Sequence, residues 1–138
     1  MIIAIDFDGT IVTHEYPKIG KEIPFAIDTL KKIQSEGEHQ LILWTVREGD
    51  LLNEAVEYCL SRGVEFYAVN SNYPAAETEI IQTQARKLSA DLFIDDRNLG
   101  GLPDWGVIYR MIKSGDTWSP SSSDMLTAQP PKKKGWFF

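Results

Sequence analysis

Asp6 and Asp8 stand two residues apart, directly after the apolar run 2–5, and Gly9 and Thr10 follow them. An aspartate at a strand end can attack phosphorus and form an acyl phosphate, which splits one hard displacement into two easier ones. A second aspartate two residues on can be aimed at the same centre by the turn. It could protonate the leaving oxygen and later take a proton from water. Gly9 permits a backbone turn that a side chain would obstruct, and Thr10 can brace the turn or position Asp8. Two more polar sites follow apolar runs: Thr45 after 41–44, and Asp95 with Asp96 after 92–94. Carboxylates gathered in one place repel one another unless a cation joins them, and hard oxygen donors select Mg²⁺ or a similar ion. Asp95 reads as a metal ligand, and Asp96 as a ligand directly or through water. Thr45 offers a hydroxyl and a backbone N–H to a phosphate oxygen. Lys87 would bring positive charge to the nucleophile and the transferring group.

Those groups converge only if the elements carrying them run side by side. Short apolar runs at 2–5, 41–44, 66–69 and 92–94 read as strands, the first of them buried on both faces. The spacing predicts a helix from near Pro24 to Gly37 with Ile27, Leu30 and Ile33 on one face. A second helix is expected from Asp50, as its cap, to Gly63, with Leu51, Leu52, Ala55, Val56, Cys59 and Leu60 at helical spacing. A third is expected over 75–87 with Ile80 and Ile81 inward, and 107–112 reads as either a fifth strand or a short helix. Strands alternating with helices argue for an α/β fold with a mostly parallel sheet and helices on both faces. In such a sheet, ligands gather at the carboxyl ends of the strands. Residues 1–118 read as the catalytic core and 119–138 as a C-terminal tail, flexible or docked on the core. The loop 11–22 is the nearby flap. His14, Tyr16 and Lys18 on it, together with Arg47 and Arg97, are candidate substrate contacts, although arginines also hold acidic loops together.

This order and spacing resemble the four motifs of the haloacid dehalogenase superfamily, specifically its aspartate-nucleophile phosphatases. Asp6-Phe7-Asp8-Gly9-Thr10 matches the first motif in full, including its preceding apolar strand. Leu43-Trp44-Thr45 matches the strand-then-threonine second motif. Lys87 looks like the third, with Arg86 adjacent, and Ile94-Asp95-Asp96 looks like the paired-acid fourth. The resemblance covers residues 1 to about 100. It implies a three-layer Rossmann-like core, with Asp6 as nucleophile and Asp8 as general acid and base. It also implies Mg²⁺ held by Asp6, Asp95, Asp96 and the backbone carbonyl of Asp8. Gly9, Thr10, Arg47 and Arg97 are the expected substrate-binding residues. Neither the interval from Asp8 to Thr45 nor that from Thr45 to Lys87 has room for another domain, so a cap-less core is expected. A receiver-like phospho-aspartate signalling module shares these residue types. It places its acid pair after the first strand, however, and the order here is reversed. A catalytically weak metal-binding protein of the same fold is the other alternative.

The chain has 138 residues, with 43% hydrophobic and 25% charged, which excludes a disordered or low-complexity protein. Its formal net charge is −6, which disfavours general nucleic-acid binding. A small phosphorylated substrate remains compatible, because a bound cation inverts the local sign. The single cysteine, Cys59, excludes an intrachain disulfide and a cysteine-rich zinc site, and reads as core packing. No leader or membrane-length apolar run is read, so no membrane partner and a cytoplasmic location are expected. The run Lys132, Lys133 and Lys134 followed by Trp136, Phe137 and Phe138 reads as tail rather than membrane anchor.

Overall fold

The computed structural model describes residues 1–75 and 85–115. The order of elements is β1 (Ile2–Ile5), α1 (Ala26–Glu36), β2 (Gln40–Leu43), α2 (Gly49–Ser61), β3 (Ala68–Val69), β4 (Leu92–Ile94) and α3 (Trp105–Ser114). The four strands form one all-parallel sheet in the order β3-β2-β1-β4. The fold is therefore α/β and Rossmann-like. From Asp8 to Thr45 the chain holds only the flap, α1 and β2, and no cap domain interrupts the core among the described residues.

Strand alternation divides the apolar residues between two faces. Ile3, Ile5, Leu41, Leu43 and Ile94 face the larger cluster, and Ala4, Ile42 and Ala68 the smaller one. Register explains the match: Ile3 pairs with Leu41, and Ile5 lies between Leu43 and Ile94. The three helices among the described residues all feed the larger cluster, through Ala26, Ile27, Leu30 and Ile33, through Ala55 and Cys59, and through Trp105, Ile108 and Ile112. On the opposite face Leu88 is buried, with Ala90 and Phe93 beside it. The helix expected over 75–87 falls mostly on 76–84, outside the described residues. Residues 85–87, which the expected helix includes, are not helical.

The segment 107–112, readable as strand or helix, is helical. The side chain of Asp104 accepts from the Gly106 N–H, and Trp105, Ile108 and Ile112 fall on one buried stripe. Helix α1 starts at Ala26 rather than near Pro24, because Phe25 takes a left-handed conformation at φ 67°. Asp50 lies in the first turn of α2 and does not cap it; Glu48 precedes the helix. Strand β3 is two residues, shorter than 66–69. Leu60, expected on the apolar face of α2, is exposed, whereas Cys59 is buried and unpaired, its thiol pushed up to about 12 by burial. No helix among the described residues is long and apolar enough to cross a membrane.

Candidate active site

The chain lays β1, β2 and β3 side by side and then places β4 on the other side of β1. Strand order thus reverses at β1 and β4, and open α/β sheets hold ligands at the carboxyl ends of strands at such a point. Ile5 is in register with Ile94, so the next residues, Asp6 and Asp95, emerge together. The Asp6 N–H donates to the Ile94 carbonyl at 2.9 Å, which extends the ladder into the site. Carboxylate oxygens of Asp6, Asp95 and Asp96 all lie within 4.8 Å of one another. All three residues are half-buried.

Thr10 and Gly9 shape this cluster. The Thr10 hydroxyl lies 3.2 Å from Asp6 Oδ2 and 3.4 Å from Asp96 Oδ1, and its oxygen accepts the Asp96 backbone N–H at 3.0 Å. Thr10 is fully buried, and its carbonyl accepts from the indole N–H of Trp105 at 3.0 Å. Gly9 has φ 89°, and a Cβ there would overlap the Asp96 carboxylate. Its N–H donates to the Val12 carbonyl at 2.7 Å. Gly9 and Thr10 were expected to touch substrate; the Gly9 N–H and the N–H, hydroxyl and carbonyl of Thr10 are instead bonded within the protein.

Asp6 shows what it costs to gather these charges. Burial raises its carboxyl from 3.8 to about 7, helped by the hydrogen bond with Asp96 and the charge of Asp95, against the lowering effect of the Phe7 backbone N–H. A cluster that takes up a proton near neutrality has the donor set a hard divalent cation would satisfy, since oxygen ligands at this spacing suit Mg²⁺.

Asp8 stands apart from that trio. Both its oxygens are taken by Arg47, Nε to Oδ2 at 2.8 Å and Nη2 to Oδ1 at 2.7 Å. Asp8 is 7% exposed and Arg47 is fully buried. Arg47 was expected to bind substrate, but its guanidinium is wholly engaged by protein. Nη1 donates to the carbonyls of Pro17 and Leu51, and Nη2 also to that of Lys18, at 3.2, 3.4 and 3.0 Å. The rings of Phe7 and Tyr16 lie 5.2 and 5.3 Å from its central carbon. As a side-chain metal ligand Asp8 is therefore out of place, which is compatible with the backbone-carbonyl role the resemblance implies.

Thr45 lies two residues beyond β2, on the same end of the sheet. Its backbone N–H donates to Asn70 Oδ1 at 2.8 Å, so that donor is not offered to a ligand. Its hydroxyl oxygen accepts from the Arg47 N–H at 3.2 Å, which leaves the hydroxyl proton to donate. Arg97 is exposed; its N–H donates to Asp95 Oδ1 at 2.9 Å, and its guanidinium lies 3.4 Å from His14 Nε2. Two of the expected rim contacts thus meet.

Lys87 does not join the cluster. It is exposed and lines a surface hollow with Ile2, Asn72, Tyr73 and Ser89. The chain reaches a parallel strand from its amino end, and here it is pinned there. Ser89 and Asn72 exchange two hydrogen bonds, and Asp91 accepts from the Ile2 N–H at 2.7 Å. Asp6 is at the opposite end of β1, roughly 13 Å along a strand of that length.

Asn70 and Trp105 are the working residues that sequence reasoning missed. Asn70 ends β3 in a left-handed conformation, a place that suits asparagine. Trp105 opens α3, and its bond to the Thr10 carbonyl joins residues too far apart in sequence for local patterning to reveal.

No family model matches the chain, and no curated protein matches it. A solved structure does, described as that of a conserved protein from Bacteroides thetaiotaomicron. The two are 63% identical, with a TM-score of 0.77, over 85% of this chain and 93% of that one. At that identity and coverage, the chain belongs to the same family as this conserved Bacteroides protein.

Proposed function

We propose that the protein is a Mg²⁺-dependent phosphate-monoester hydrolase that works through an aspartyl-phosphate on Asp6. The observation that carries this reading is the convergence of Asp6, Asp95 and Asp96 at the ends of two adjacent parallel strands. Asp6, Asp95 and Asp96 would hold the metal. A bound Mg²⁺ supplies positive charge that offsets the three carboxylates and stabilises charge on the phosphoryl oxygens.

Asp6 is the nucleophile because it is the strand-end carboxylate of the first motif, and its backbone is tied into the sheet. Its oxygen attacks phosphorus in line while the bond from phosphorus to the ester oxygen breaks. That oxygen keeps the electron pair and takes a proton that Asp8, a carboxylate paired with Arg47 at rest, takes up from solvent when it releases Arg47. Asp8 then takes a proton from water, which hydrolyses the aspartyl-phosphate and regenerates Asp6. Thr45 donates its hydroxyl proton to a phosphoryl oxygen. Arg97 and His14 stand at the rim, where a phosphorylated small molecule would enter. Asp6→Asn should lower turnover of p-nitrophenyl phosphate in Mg²⁺ by roughly a thousandfold or more. A variant that keeps the wild-type rate sinks the reading.

A further inference from the structure

Arg47 touches neither the acid cluster nor open solvent, yet it gathers more of the molecule than any other side chain at this site. Its five N–H groups all have acceptors: two oxygens of Asp8, two carbonyls of the flap tip and one carbonyl of α2. We propose that Arg47 is the positioning residue for Asp8, and that it locks Asp8 and the flap tip into one unit. This inference rests on the hydrolase reading, in which Asp8 serves the leaving oxygen.

The physical case is one of unequal anchoring. The guanidinium is planar and forked, so its bonds fix an orientation as well as a distance. Three backbone carbonyls and two aromatic rings hold it when Asp8 lets go. Asp8 has only its own short side chain to move. In the paired state both its oxygens are occupied and the carboxylate is withheld from the cluster. To serve a leaving oxygen it must release one bond and take up a proton from solvent, and the fixed guanidinium receives the carboxylate again once that proton has been passed on.

The flap shares the same post. It is a braced hairpin: the Thr13 N–H donates to the Lys21 carbonyl at 2.7 Å, the Ile23 N–H to the Ile11 carbonyl at 2.8 Å, and a Cβ at Gly20 would collide with the Thr13 backbone. Its tip, Tyr16 to Lys18, meets Arg47, and its near end, His14, meets Arg97. Displacing the flap tip therefore removes two of Arg47's acceptors, the carbonyls of Pro17 and Lys18.

The test compares two esters. Phenyl phosphate has a poor leaving group that needs a proton, and p-nitrophenyl phosphate has a good one that does not. The ratio kcat/KM covers only the steps up to the first P–O cleavage, so hydrolysis of the shared intermediate does not enter it. Arg47→Lys keeps the charge but loses the fork. It should lower kcat/KM for phenyl phosphate on the order of a hundredfold, and for p-nitrophenyl phosphate by less than about tenfold. The loss should fall on kcat rather than KM. Tyr16 is exposed, so Tyr16→Leu removes one ring from Arg47 without opening the core, and it should shift the two esters in the same sense by a smaller factor. Equal losses on both esters in the folded variants, or no loss, overturn the positioning role while leaving the hydrolase reading intact. If Arg47→Lys does not fold, Tyr16→Leu alone decides by the same ratio. A wild-type protein inert towards both esters removes the hydrolase reading and this inference with it.

Discussion

Gly9 is held by two independent constraints, its left-handed backbone and its contact with the Asp96 carboxylate. Gly9→Ala should therefore destabilise the fold by at least about 2 kcal/mol in chemical denaturation. It should also weaken Mg²⁺ binding, because the Asp96 carboxylate must move aside. Thr10 acts at the same spot through its oxygen. Thr10→Val keeps the shape but strips partners from Asp6 and from the Asp96 N–H. A loss of about 1–3 kcal/mol follows from leaving such groups unpaired. Loosening of the ligands should also lower Mg²⁺ affinity roughly ten- to hundredfold, read by calorimetric titration. A Thr10→Val protein that binds Mg²⁺ like wild type would show that the hydroxyl does not orient the ligands.

At the scale of elements, α3 reaches the site through one bond. Trp105 closes the larger core cluster and hands its indole N–H to the Thr10 carbonyl, so the helix braces the turn that carries the acids. Trp105→Phe keeps most of the apolar bulk and removes that donor. It should cost about 1–3 kcal/mol of stability in chemical denaturation, because the Thr10 carbonyl is left without its buried donor. Asp104→Ala tests the start of the same helix and should cost about 1 kcal/mol through loss of the cap, measured by thermal unfolding. α1 and α3 are joined on their outer side as well: Tyr109 donates to Glu36 Oε1 at 2.6 Å, and Lys113 lies 3.5 Å from Glu36 Oε2. The exposed part of that pair contributes little by itself.

For the whole molecule, charge and proton binding are linked. Without a cation the folded protein holds the Asp6 carboxyl at about 7, against 3.8 for an ordinary aspartate, so the folded state binds the extra proton. The stability from this group is then fully present below about pH 4 and is lost as pH rises through about 7. In EDTA, Tm should fall as the pH is raised across that window. Added Mg²⁺ competes with the proton, so the Mg²⁺-dependent rise in Tm should grow from about pH 5 to about pH 8. A flat Mg²⁺ effect across that range would dissociate the cation from Asp6.

Much of this was legible along the chain, for local reasons. Apolar runs, Asp-x-Asp-Gly-Thr and the acid pair are contiguous patterns, and each declares a strand end and its chemistry within a few residues. They determined an α/β core and the candidacy of Asp6, Asp95 and Asp96. The ambiguous segment 107–112 needed the Asp104 cap and the packing of Ile108 and Ile112 to become a helix. Arg47 lay beyond local reading in another way. Two residues past Thr45, it has the spacing of a substrate contact, and only the close approach of the flap, Asp8 and α2 supplies the acceptors that bury it. Lys87 failed in the opposite direction: its spacing to Asp95 was right, but the chain enters β4 from the far end of the sheet. A sequence determines which groups can do chemistry and on which kind of element they sit. Strand order and the hydrogen bonds made across it decide which of them face one another, because those contacts join residues that are distant along the chain.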